Sequence, residues 1–314
     1  MPEKSDRTGT VPHYKRLVRR IVRRYFDAPA SRIVHRSSGL TNFVFAINHV
    51  DGQYVIRISP EPERINAFKK EWWAAEQARK AGVPCPEILV VGNDVGPEPY
   101  MISRRVTGAE AINHPKRDRI IREVGRFAAI INSIETHGFG SNFDWNTEAP
   151  NITTWSDYLD QEYQLAQRLE FFATHRILPE SALTHLSAIF EATRNANIKP
   201  ALNHSDLRLK NVIVDDDGEI TAIIDWEECL SAAAPQWELS IALHDLSIDQ
   251  KQAFIEGYGL APEQVEQMAP LIKAFNILNY HGAIAGAVEQ NDEEKLAEFR
   301  LRLHGTLDLF SLGC

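Results

Sequence analysis

The texture of this chain changes once, near Gly108, and that change limits the possible folds more than any other feature. Before it, β-branched and aromatic runs alternate with turn residues. After it, apolar residues recur at the roughly 3.6-residue spacing of packed helices. Ile33–Ser37, Phe43–His49 and Gln53–Ser59 read as strands, with Asp51-Gly52 as the hairpin turn between the last two. Arg64–Lys80 reads as a helix closed by Gly82 and Pro84. Ile88–Val91 and Pro99–Arg104 add two strands. The order β, β, β, α, β, β predicts a small antiparallel five-stranded unit over residues 1–105. A basic helix over 13–26 precedes it, with Leu17, Val18, Ile21 and Val22 on one side and five arginines around the rest. Such a helix suits either a membrane surface or a packed position with a solvated basic face.

Residues 106–314 read as the second part, mainly helical, with helices over 117–134, 154–174, 179–195, 235–245, 249–258, 269–288 and 293–310. One interruption breaks this half. Ala201–Asn203, Val212–Asp215 and Ile220–Asp225 are strand-like, and Asp217-Gly218 marks a turn between the last two. The fold class is therefore α+β. The formal charge of −9 opposes general nucleic-acid binding, which needs clustered Lys and Arg. No apolar run is long enough for a spanning helix, so no membrane partner is expected and the expected location is the cytoplasm. Cys85, Cys229 and Cys314 have no metal-ligand spacing and read as reduced thiols. Nothing in the sequence specifies an oligomeric state.

The interruption carries the chemistry. It runs Asn203-His204-Ser205-Asp206-Leu207-Arg208-Leu209-Lys210-Asn211 into an apolar strand, and the next strand ends in Ile223-Ile224-Asp225-Trp226. Phosphoryl transfer needs a carboxylate to orient an acceptor hydroxyl and take its proton, a part that Asp206 can play. It also needs divalent cations on the nucleotide phosphates. Mg²⁺ takes hard oxygen ligands, commonly one or two carboxylates plus substrate phosphates. Asn211 and Asp225, at the ends of adjacent hairpin strands, suit that role. Other motifs fail: there is no G-x-x-x-x-G-K-[ST], no H-E-x-x-H and no G-x-S-x-G.

The spacing His204-x-Asp206-x₄-Asn211 resembles the catalytic loop of the protein-kinase-like fold, and Asp225-Trp226 resembles the I-D-W of aminoglycoside phosphotransferases and choline kinases. The resemblance covers about residues 30 to 245. It implies a two-lobe fold, with a small antiparallel five-stranded N-lobe and a larger, mainly helical C-lobe. It implies ATP or GTP as phosphoryl donor, Mg²⁺, and a small hydroxylated acceptor, an aminoglycoside-like one first. Asp206 would be the catalytic base, His204 a brace, Asn211 and Asp225 metal ligands, and Arg208 a cation near the transferred phosphate. Arg57 stands where relatives usually keep a Lys, paired with Glu71. Ser38 and Thr41 lie in the loop over the phosphates, and Ser103 in the hinge that reads the base.

Two departures stand out. Ala232–Leu239 replaces the G-D-P turn and W-D-L of relatives, with Glu238 in place of the expected Asp. A silent nucleotide-binding regulator would fit that change and Arg57, but the intact Asp206, Asn211 and Asp225 oppose it. No A-P-E follows Asp225, which opposes a kinase of proteins. Asp157, Asp160, Glu162, Glu227, Glu228 and Asp245 would suit an amine-bearing acceptor, or serve only as solvated faces.

Overall fold

A computed structural model describes residues 11–36 and 42–309, which divide into two compact units. The first comprises the chain up to Ile120 together with Leu209–Cys229. It is built on β1 (Arg32–Arg36), β2 (Phe43–His49), β3 (Gly52–Ile58), β4 (Ile88–Gly92) and β5 (Tyr100–Arg104). These pair antiparallel in the order β1-β2-β3-β5-β4. Alternation along β3 buries Tyr54, Ile56 and Ile58 on one face and leaves Arg57 on the other.

The basic helix is α1 (Val11–Tyr25), and it covers the buried face of this sheet. Tyr14, Leu17, Val18, Ile21 and Val22 share a core with Phe45, Ile47 and Ile102. Arg20 donates to the Val95 carbonyl, and Arg24 lies 3.3 Å from Asp94. The helix is thus a packed element, part of whose basic face holds the turn before β5. Helix α2 (Ile65–Lys80) carries buried Phe68 and Glu71. A short strand, β6 (Ala109–Glu110), joins the hairpin of β8 (Val212–Val214) and β9 (Ile220–Ile223) in a three-stranded sheet. Gly108 precedes β6 at φ +128°, where a Cβ would come within 2.3 Å of the Val214 carbonyl oxygen. Only glycine lets the chain pass so close.

The second unit comprises Ile121–Arg208 and Leu230–Cys314. Its helices are α3 (Arg117–Asn132), which begins in the first unit, α4 (Trp155–Gln161), α5 (Leu165–Thr174), α6 (Glu180–Thr193) and α7 (Gln236–Ala242). They continue with α8 (Ile248–Tyr258), α9 (Pro262–Leu278), α10 (His281–Glu289) and α11 (Glu293–Leu309). A two-stranded sheet pairs β7 (Pro200–Asn203) with β10 (Leu230–Ala233). An aromatic core of Trp155, Tyr158, Tyr163, Phe190, Trp237 and Phe275 fills the unit.

The structure differs from the sequence expectation in two helix breaks and two unexpected strands, β6 and β10. The expected helix over 154–174 is two helices, because Gln164 takes a left-handed conformation at φ 55°. The expected helix over 269–288 likewise divides, with α9 beginning earlier, at Pro262, and ending at Leu278. Strand β10 was not expected: Leu230-Ser-Ala-Ala lacks the bulky β-branched residues that announce a strand. Among the described residues, no helix is long and apolar enough to cross a membrane.

Candidate active site

In the first unit, β3 and α2 bring Arg57 and Glu71 into a direct ion pair, Nη2 donating to Oε2. Nη1 of the same guanidinium lies 3.8 Å from Asp225 Oδ1, and its carbon sits 5.4 Å from the Phe68 ring centre. Burial works against the charge of Arg57. The carboxylates of Glu71, Asp225 and Glu227 outweigh that penalty and hold its pKa above the ordinary value. Glu71 moves up as well: burial raises it, Arg57 pulls it back, and Asp225 and Glu227 add to the rise. Asp225 and Glu227 act on both groups, raising the proton affinity of each.

The β8–β9 hairpin sets the neighbouring geometry. Val212 pairs with Ile223, and the Ile224 amide donates to the Asn211 carbonyl at 2.9 Å. Asn211 and Asp225 therefore share the open end of one hairpin. Asp225 holds a left-handed conformation at φ 69°. Trp226 is fully buried and donates Nε1–H to the Ile223 carbonyl, which pins the turn. Two residues on, Glu227 accepts from Arg64 Nη2 and Asn42 Nδ2, both at 3.2 Å. Among the described residues, no group of three or more His, Cys, Asp or Glu side chains is placed to hold a metal. The donor set of Asn211 and Asp225 fits Mg²⁺ nonetheless, since that ion commonly takes only one or two carboxylates plus substrate phosphates.

In the second unit, β7 runs directly into the loop His204-Ser205-Asp206. His204 is buried, and its Nδ1 lies 3.3 Å from the Asp206 amide that donates to it. Ser205 sits at φ 65°, an uncommon conformation for a residue with a Cβ. The loop is held from below by α7. Glu238 Oε2 accepts the His204 amide at 2.6 Å and the Ser205 amide at 3.3 Å, and Trp237 Nε1–H donates to Ser205 Oγ at 3.1 Å. Burial pushes the Glu238 carboxyl up to about 7, against the two amides that favour its charge, with nearby Asp206 adding to the rise. Arg208 grips Asp206 Oδ1 at 2.5 Å and reaches Asp245 at 3.6 Å.

The sequence-predicted residues thus fall into two groups. Arg57, Glu71 and Asp225 interact within the first unit, with Asn211 on the same hairpin end as Asp225. Asp206 and Arg208 interact within the second. Ser38 and Thr41 lie outside the described residues, as does Ser37 at the end of the first expected strand. Ser103 pairs with Val55 on β3 and Ile88 on β4. Sheet bonding continues past it to the Arg105 amide, which donates to the Gln53 carbonyl at 2.9 Å.

Three of the six acidic candidates are engaged elsewhere. Asp157 belongs to the Thr154 cap of α4, Asp160 is bound by Arg194, and Glu162 accepts the Ser141 amide. Asp245 lies 3.6 Å from Arg208 and 3.6 Å from His244. Asn42 and Arg64 were not singled out from the sequence. Asn42 ends the loop expected over the phosphates and Arg64 opens the expected helix, and their shared partner Glu227 marks them.

The pattern of the phosphotransferase enzyme family, APH, matches residues 32–271. Hygromycin-B 4-O-kinase of Escherichia coli is 23% identical over 226 residues, a match covering 65% of this chain. The chain spans 60% of that relative's length. Aminoglycoside phosphotransferase APH(4)-Ia superposes with a TM-score of 0.71 at 20% identity, covering 94% of this chain and 98% of that one. The GDP and kanamycin complex of APH(2")-IIIa gives a TM-score of 0.66 at 15% identity, covering 95% and 99%. These two share the fold of this chain. With its pattern matched across well over half its length, the chain belongs to the APH phosphotransferase enzyme family.

Proposed function

We propose that this protein transfers the γ-phosphoryl group of ATP or GTP to a hydroxyl of a small, amine-bearing acceptor of the aminoglycoside type. The observation that carries the reading is the joint presence of the Arg57–Glu71 pair, the Asn211–Asp225 hairpin end and the Glu238-braced loop bearing Asp206. The nucleotide-binding part is assigned to residues 1–105, and the catalytic and acceptor-binding part to 106–314. Solved relatives include APH(4)-Ia with AMP-PNP and hygromycin B, and APH(2")-IIIa with GDP and kanamycin. Both purine donors therefore belong in any test.

In this reading Arg57, fixed by Glu71, holds the donor phosphates through its planar fork. Asn211 and Asp225 would hold Mg²⁺, which neutralises phosphate charge when bound. Asp206 orients the acceptor O–H. The acceptor oxygen forms its bond to phosphorus as the bond to the leaving diphosphate breaks, and Asp206 takes the proton. Because the transition state is loose, catalysis is chiefly positioning and charge neutralisation. Arg208 balances the charge of Asp206.

The test is a nucleoside-diphosphate release assay with ATP or GTP, Mg²⁺, and a panel of aminoglycosides, choline-like alcohols and sugar amines. Acceptor-dependent release is expected, with the aminoglycosides giving the largest response. Tight nucleotide binding with no release on any acceptor would favour the silent regulator instead.

A further inference from the structure

One cation beside the proposed phosphate-holding residues has no part in that reading. Arg64 stands at the N-cap of α2, half-buried, with Nη2 on Glu227 Oε2 at 3.2 Å. Glu227 lies two residues past Asp225 and also bears on the charge of Arg57. Arg57 and Arg64 therefore share one cluster of carboxylates, and every member lies in the first unit.

Within that cluster, three buried polar atoms have no hydrogen-bond partner among the described residues: Arg57 Nε, Arg64 Nε and Asn42 Oδ1. A buried donor left unpaired is costly, and native structures rarely keep one without a ligand or water to meet it. The two guanidinium N–H groups need an acceptor, which a water or an anionic oxygen supplies, whereas Asn42 Oδ1 needs a donor. A phosphate oxygen is such an acceptor, and charge-assisted bonds to it are among the strong ones. Arg64 also stands at the start of a 16-residue helix, whose N-terminus carries partial positive charge.

We propose that Arg64 is a second phosphate-binding cation of the nucleotide site, and that Glu227 is its internal counter-ion, displaced by the polyphosphate of a bound nucleotide. The proposal rests on the nucleotide-dependent reading given above. It differs from a plain structural role, in which the Arg64–Glu227 pair would only clip α2 to the turn after β9.

Titration calorimetry with ATP, ADP and AMP in the presence of Mg²⁺, and with the guanine counterparts, separates the two. Arg64→Ala is expected to weaken tri- and diphosphate binding about tenfold while leaving the monophosphate unchanged. Glu227→Gln frees Arg64 and is expected to tighten triphosphate binding several-fold. That gain should vanish in the double variant. A structural clip predicts the opposite sign for Glu227→Gln, with losses shared by all three nucleotides and a lowered melting temperature in both single variants. Should Arg64→Ala not fold, Glu227→Gln alone still decides by its sign. Equal affinities for wild type and Arg64→Ala would overturn this inference alone. Absence of nucleotide binding by the wild type would overturn it together with the reading on which it rests.

Discussion

Glu238 shows how much of a phosphotransfer loop depends on one buried carboxylate. Its Oε2 satisfies two amides of the loop, while its Oε1 has no hydrogen-bond partner among the described residues. Burial raises its proton affinity to a pKa of about 7, above the ordinary 4.5. The folded protein therefore binds a proton there that the unfolded chain has already released. The stability this contributes is fully present below the unfolded value and is lost as pH rises through the folded one. Between pH 4.5 and about 7 the group costs on the order of 3 kcal/mol. Glu238→Gln should flatten that part of the stability profile, measured by denaturant unfolding at several pH values. An unchanged slope would place the titration elsewhere. The sequence marks Glu238 as a departure from its relatives but does not show that it faces His204 and Ser205, because a separation of 34 positions from His204 hides the contact. Asp206, Asn211 and Asp225 are legible since their spacing is local. Arg64 is not, since its partner is 163 residues away.

At the level of elements, α3 and α8 cross at two glycines. A Cβ on Gly125 would lie 2.1 Å from the Phe254 carbonyl oxygen, and one on Gly257 would lie 1.8 Å from that of Arg122. Backbone meets backbone, so no side chain can rotate away. Gly257→Ala is expected to destabilise the protein by about 2 kcal/mol, seen as a lower denaturation midpoint with the slope unchanged. A midpoint equal to wild type would show that the helices separate freely. The same elements explain what the sequence reveals. Strands β1 to β5 and α2 are legible because β-branched runs, Asp51-Gly52 and the Gly82–Pro84 stop are local signals. The break between α4 and α5 is not, because Glu162-Tyr163-Gln164 carries no glycine or proline and the apolar spacing continues through it. The sequence favours α1 as a packed helix with a solvated basic face over a membrane-surface helix, and Arg20 and Arg24 on Val95 and Asp94 agree with that reading.

Across the whole molecule, the chain leaves the first unit after Ile120, returns to it at Leu209 and leaves again after Cys229. The return falls between Asp206 and Asn211, so the proposed base and the proposed metal ligands belong to different units. The first unit is thus built from two stretches of chain that pack as one. Hydrogen exchange with Mg²⁺ and nucleotide is expected to slow amides in residues 52–58 and 209–229 together. Protection confined to the stretch before residue 120 would contradict the assignment of the hairpin to the nucleotide. The account as a whole turns on Asp206. The most direct test is the turnover of Asp206→Asn beside wild type, with the best acceptor from the panel and with nucleotide affinity measured on the same samples. A fall of about 10² to 10⁴ in kcat, with that affinity unchanged, is the predicted result. Turnover close to wild type would show that Asp206 is not the base and would contradict the account at its centre.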